Sequence, residues 1–118
     1  MNIIFGKENA DLARDKHTVL ELDTFQFPDN GPTITAYCTV EKIKFDQMPV
    51  VESMTRLHHD LITQYGHRNW STCLDLISRL CGFWNEELDS FYDDLKLRIQ
   101  QHIESPPESD WSPIIIKD

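Results

Sequence analysis

Glycine is scarce in this chain: Gly6, Gly31, Gly66 and Gly82 each stand alone at the end of a candidate element. A P-loop or a dinucleotide fingerprint needs several glycines in one turn, so that backbone N–H groups can approach a phosphate, and neither can be built here. Long apolar runs are also lacking. None approaches the roughly 18–20 residues that a membrane-spanning helix requires. The opening Met1-Asn2-Ile3-Ile4-Phe5-Gly6-Lys7 has neither a basic n-region nor a long apolar stretch, which reads as no secretory leader and predicts a cytoplasmic protein. Basic residues are few and dispersed, 11 Lys and Arg against 20 Asp and Glu, for a net charge of −9. With no cationic cluster to displace counterions from phosphates, neither direct nucleic-acid binding nor docking on an anionic membrane is expected.

What is present suits a globular domain. The 118 residues are 40% apolar and 26% charged, enough for one hydrophobic core and unlike the composition of a disordered chain. The acidity is mostly C-terminal: residues 85–118 carry nine acidic and three basic groups, residues 48–84 three of each. The three cysteines fall inside apolar patterns. Cys73 and Cys81 lie about two turns apart on one helix-like segment, roughly 12 Å by helical rise, too far for a disulfide. An odd number of reduced cysteines fits a cytosolic compartment.

Along the chain, strand patterns precede helical ones. A short apolar run ends at Gly6, and residues 8–16 carry the apolar residues for a weak helix of one or two turns. The β-branched and aromatic stretch 18–27 meets the turn signal Pro28-Asp29-Asn30-Gly31-Pro32, which predicts a hairpin. On its return arm Ile34, Ala36, Cys38 and Val40 alternate with Thr35, Tyr37, Thr39 and Glu41, the pattern of a strand with one buried face. From about Gln47 the period becomes helical, with Val51, Met54, His58, Leu61 and Tyr65 on one stripe. Gly66 ends that helix. Asn69 is placed to cap a second, with Trp70, Cys73, Leu74, Ile77, Leu80 and Cys81 facing inward, and Gly82 suits the left-handed position after it. Asn85 would cap a third, carrying Leu88, Phe91, Tyr92, Leu95, Ile99 and Ile103. The expected fold is α+β: a small N-terminal antiparallel sheet of three or four strands packed against three C-terminal amphipathic helices. Residues 1–104 form its single domain, and residues 105–118 form a tail with a proline-containing linker.

Candidate sites are few. His58-His59-Asp60 is the one local cluster of metal-ligand types, with His17, His67 and His102 elsewhere. Neighbouring helical residues diverge by about 100°, so His58 and His59 do not share a metal readily, and no metal is expected. No nucleophile elbow or catalytic cysteine environment occurs, so no catalytic or cofactor-binding residue is assigned. A small enzyme with a spatially assembled carboxylate and histidine site, for instance Glu21, Asp23 and Glu41 across the hairpin, stays as one alternative. Glu86, Glu87, Asp89, Asp93 and Asp94 make the third helix acidic. Another alternative is therefore an acidic mimic of nucleic acid that inhibits a DNA- or RNA-binding protein. Acids in a first helical turn also suit the helix dipole, and Asp94 can pair with Arg98.

The segment Tyr65-Gly66-His67-Arg68-Asn69-Trp70-Ser71-Thr72-Cys73-Leu74-Asp75-Leu76-Ile77 resembles the turn and second helix of a tetratricopeptide unit. Trp70 and Cys73 take its aromatic and small positions, but no second copy follows at the expected period, so a solenoid is not expected. More broadly, Val19-Leu20-Glu21-Leu22-Asp23-Thr24-Phe25, Thr35-Ala36-Tyr37-Cys38-Thr39-Val40-Glu41 and Glu87-Leu88-Asp89-Ser90-Phe91-Tyr92 resemble strings in a family of small proteins of marine tailed phages. That resemblance implies a source, and with it the host cytoplasm, but no activity.

The leading functional expectation is a non-catalytic interaction or regulatory protein binding a host or virion protein. Its candidate contact residues are Glu86, Asp89, Asp93, Trp111, Ile114, Ile115 and Ile116. Trp111 and the isoleucine run are too apolar for a solvated terminus. Either the run returns to the chain's own sheet as an edge strand, or it adds to another copy, making a homo-oligomer through the tail, or to a partner.

Overall fold

The computed structural model describes residues 2–15, 17–26, 32–41, 48–84 and 88–116. The elements run β1 (Asn2–Phe5), α1 (Lys7–Ala13), β2 (His17–Gln26), β3 (Thr33–Glu41), α2 (Met48–Gly66), α3 (Trp70–Leu80), α4 (Asp89–Glu104) and β4 (Ile115–Ile116). The chain is α+β, with one correction to the expected layout. Helices are not confined to the C-terminal part, because α1 connects β1 to β2. The chain gathers into two compact units, Met1–Thr55 with Pro113–Asp118, and Arg56–Ser112.

In the first unit the strand order is β1-β3-β2-β4. β3 is antiparallel to both neighbours, with Ile4 opposite Tyr37 and Leu20 opposite Cys38. β4 runs parallel to β2, Ile115 beside Phe25. This central position overturns the one-faced reading of β3: Ala36, Tyr37, Cys38, Thr39 and Val40 are all buried. Tyr37 packs with Ala10 of α1 and Val19 of β2, so the face that alternation assigned to solvent is occupied. Cross-strand partners share a face, which sets Glu21 beside Tyr37. Burial first, and then the Glu21 carboxylate, push the pKa of the Tyr37 hydroxyl up.

β2 carries one extra residue. Glu21 pairs with Tyr37 and Thr24 with Thr35, so Leu22 and Asp23 both lie opposite Ala36, a β-bulge that bends the strand. Just beyond it the Thr24 and Thr35 hydroxyls meet at 2.9 Å. On the other side of β3 at the same level, Gly6 turns β1 into α1 with φ 91°, its N–H donating to the Thr35 carbonyl at 2.9 Å. A Cβ there would meet nothing within 4 Å. Backbone conformation, not space, therefore demands glycine.

The second unit is helical. On α2 the stripe read from spacing places His58, Leu61 and Tyr65 in the interior; on α3 the buried residues are Cys73, Leu76, Ile77 and Leu80. On α4, Tyr92, Leu95 and Ile99 are buried with Leu88 at the N-cap position. Full burial of side chains this size is worth about 1.5–3 kcal/mol each, so these stripes dominate the unit's stability. Three residues depart from the expected stripes, the first being Leu76 of α3, which lies outside the expected set and is buried. Cys81 is exposed because α3 has already ended at Leu80, and Ile103, in the last turn of α4, is 49% exposed. Gly82 takes φ 81°, as the spacing required. Asn85 lies outside the described residues.

Candidate functional site

The turn between α2 and α3 is built around an arginine in a glycine's place. The Arg68 N–H donates to the Tyr65 carbonyl and the Asn69 N–H to the Gln64 carbonyl, each at 3.1 Å. These nested bonds close a helix C-terminus whose penultimate residue is left-handed, usually glycine. Here that residue is Arg68, at φ 63°. Gly66 sits two positions earlier, as the last residue of α2. The expected Asn69 cap is corrected too: no side-chain cap bond forms at α3, because the Asn69 amide donates instead to the Gln64 side-chain oxygen.

Left-handed geometry at Arg68 accompanies a side chain that gathers the segment after α4. Its Nη2 donates to the carbonyls of Glu108 at 2.7 Å, Ser109 at 3.2 Å and Trp111 at 3.3 Å, and Nη1 reaches that of Pro107 at 3.4 Å. The Trp111 N–H donates to the Glu108 carbonyl at 3.0 Å, so residues 108–111 form a turn wrapped on the guanidinium. That guanidinium also lies 5.3 Å from the centre of the Trp111 ring, within cation–π range.

Trp111 belongs to a cluster of four rings. Its centroid is 5.5 Å from Tyr65, 5.6 Å from Trp70 and 5.0 Å from His102, each edge-to-face. His102 stacks on Trp70 at 5.0 Å with 19° between the planes. Tyr65 is buried, whereas Trp70, His102 and Trp111 are half-buried and Arg68 likewise. Burial first, then the positive charges of Arg68 and Arg98, hold the His102 pKa below its ordinary value. The patch is thus aromatic, cationic at one end and partly open to solvent.

A second polar arrangement is enclosed. The Trp84 indole N–H donates to the Tyr92 hydroxyl at 3.1 Å, and that hydroxyl shares a hydrogen bond with His58 Nδ1 at 2.9 Å. All three residues are buried. The chain of bonds gives interior polar atoms the partners they need, and it orients α4 against α2 within the unit. His59 and Asp60 are exposed, pointing away from His58. Among the described residues no group of three or more His, Cys, Asp or Glu is placed to hold a metal.

The residues proposed from sequence as contacts are dispersed. Glu86 lies outside the described residues. Asp89 is half-buried, its Oδ1 accepting the Gly82 N–H at 2.8 Å, so it serves a helix junction. Asp93 is exposed, one turn along α4, and Asp94 pairs with Arg98 at 2.6 Å. Trp111 lies in the aromatic cluster of the second unit. Ile114 and Ile115 are half-buried in the first, Ile115 in β4; Ile116 stands beside Gln26 by backbone register. Glu21, just before the bulge, and Asp23, within it, suggested as an assembled carboxylate pair, are half-buried, while the Glu41 side chain is outside the described set. Cys38 and Cys73 are buried, and burial pushes the Cys73 thiol up to about 11.

Sequence reading singled out Trp111 but missed its partners. Trp70 and His102 lie on different helices, and only the shared chemistry of two tryptophans, a tyrosine and an arginine would have drawn them together. No family model matches the chain, and no curated protein or solved structure matches it either.

Proposed function

We propose that this chain is a non-catalytic interaction protein that engages a protein partner through the aromatic and arginine surface of its second unit. The observation that carries this reading is the cluster of Trp70, Trp111 and His102, half-buried together around Arg68. Trp, Tyr and Arg are the residues that most often supply the large terms in protein interfaces, where truncating one such anchor costs about 2 kcal/mol or more. Rings already packed on one another, edge-to-face around Trp111 and stacked between His102 and Trp70, leave less rotamer freedom for binding to remove. The likeness to proteins of marine tailed phages makes a host or virion protein, met in the host cytoplasm, the first partner to seek.

The test is capture from host lysate by the immobilised chain, comparing wild type with Trp70→Ala and with Asp93→Lys, each first shown to be folded by circular dichroism. A specific partner should be lost with Trp70→Ala, at least tenfold in recovery, and kept with Asp93→Lys. The opposite pattern would assign binding to the acidic face of α4 and favour the nucleic-acid-mimic reading instead. A partner indifferent to both substitutions would remove this surface from consideration.

A further inference from the structure

The chain after α4 is held at two places. Residues 107–111 wrap the Arg68 guanidinium, and Ile115–Ile116 pair with β2. Ser112, Pro113 and Ile114 are all that separate these anchors along the chain.

The two anchors are unequal. At the first, the carbonyls of Pro107, Glu108, Ser109 and Trp111 meet one guanidinium, which also lies within cation–π range of the Trp111 ring. That ring packs on Tyr65, Trp70 and His102 as well. At the second anchor β4 has two residues, Ile115 beside Phe25 and Ile116 beside Gln26, in parallel register. Strands in globular proteins usually run about five or six residues, and parallel pairing is slightly weaker per residue than antiparallel. Burial does not make up the difference, because Ile114, Ile115 and Phe25 are each half-buried.

Ordering a backbone costs entropy at every residue, and so short a ladder returns few hydrogen bonds against that cost. A free chain end would not hold there. The end is not free, however, because the clamp fixes the chain at Trp111, and Pro113 fixes φ in the short connection. β4 is thereby supplied to β2 at a high effective concentration.

We propose that residues 107–116 act as a latch: the clamp of Arg68 on Trp111 keeps β4 on β2, and withdrawal of Trp111 from its rings releases the Ile114–Ile116 run and uncovers the β2 edge at Phe25 and Gln26. This goes beyond the partner reading and depends on it at no step. Once released, the apolar run and the edge it leaves both carry unpaired backbone groups, the condition under which strands pair with other chains. The aromatic cluster therefore controls whether an association-prone strand is displayed. Such coupling is reciprocal, so whatever factor the clamp lends to β4, β4 returns to the clamp.

Hydrogen exchange on the full chain, read by mass spectrometry, tests the latch, with residues 114–116 as reporter and the buried residues 36–40 of β3 as internal control. In Trp111→Ala, protection at 114–116 should fall by about tenfold or more while β3 is unchanged. A second variant leaves both anchors intact: roughly nine Gly and Ser residues inserted between Ser112 and Pro113 make the connection about four times as long. Effective concentration falls as about the −3/2 power of length, so protection at 114–116 should drop by about eightfold. Wild-type protection retained in either variant overturns the latch, since β4 then stands without Trp111 or without the short connection. A wild type whose residues 114–116 exchange as fast as an unstructured peptide overturns it too. Should Trp111→Ala lose protection in β3 as well, Arg68→Ala takes its place beside the insertion, with the same two outcomes.

Discussion

Replacing Arg68 by glycine and, separately, by alanine divides its backbone cost from its side-chain contribution. At φ 63° a residue with a Cβ is disfavoured by about 1 kcal/mol relative to glycine. Of the four guanidinium bonds, those at 2.7 and 3.2 Å have good distances, and those at 3.3 and 3.4 Å are weak. A bond to a charged group nets about 1.5–3 kcal/mol when buried, and with Arg68 only half-buried about 1 kcal/mol for each of the two better bonds is appropriate. The cation–π contact with Trp111 adds about 0.5 kcal/mol at this exposure. Alanine, which keeps the backbone strain and loses the side chain, should then destabilise by about 2.5 kcal/mol. Glycine recovers the strain and should destabilise by about 1.5 kcal/mol. Urea denaturation followed by tryptophan fluorescence measures both, and the 1 kcal/mol gap should appear as roughly 3–5 °C in Tm. If the two variants are equally stable, the left-handed turn at Arg68 is wrong. If Arg68→Gly is more stable than wild type, the guanidinium contributes less than the strain it accompanies, and Arg68 is not a clamp on residues 107–111.

Two further outcomes follow from buried and half-buried groups. Tyr92→Phe removes the hydroxyl shared by Trp84 and His58, strips both of a buried partner and should cost about 1.5–3 kcal/mol in urea denaturation; a loss below about 0.5 kcal/mol would show that water or another group replaces it. His102 has a folded pKa below its unfolded value, so the unfolded chain takes up the proton first. Its contribution to stability is complete above about pH 6.5, declines as pH falls toward the folded pKa and is lost below it. Thermal melts across pH 7.5–5 should show a smaller acid loss in His102→Gln than in wild type, and parallel curves would refute the assignment.

The helices were the most legible part of this chain because their information is local. Val51, His58, Leu61 and Tyr65 announce α2 by spacing alone, and Tyr92, Leu95 and Ile99 do the same for α4; all are buried. β3 was legible as a strand but not as a central one. Its Thr35, Tyr37 and Thr39 read as a solvent face, since nothing local reveals that α1 places Ala10 against Tyr37 or that β1 pairs on the far side. The bulge between Glu21 and Thr24 was equally hidden, because one extra residue in a β-branched run leaves no compositional trace. In the candidate site, Trp111 was conspicuous as an apolar residue stranded after two prolines. Its receiving surface was not, because Tyr65, Trp70 and His102 meet through tertiary packing, and each of them has an ordinary explanation on its own helix.

Arg68 was the least legible residue for a reason that bears on function. Local rules assign the end of α2 to Gly66, the residue with both poor helix propensity and free access to positive φ. α2 does end at Gly66, but Gly66 is its last helical residue and the left-handed turn comes two residues later, at Arg68. Both choices work against local stability: glycine in a helical position loses about 1 kcal/mol against alanine, and arginine at φ 63° is strained. Moving the turn to Gly66 would avoid the strain, but would withdraw the guanidinium from the carbonyls of residues 107–111. Conflict between local preference and the observed structure is expected where a side chain must reach a particular place. Here Gly66 and the left-handed Arg68 flank His67, and the reach of the guanidinium ends on Trp111.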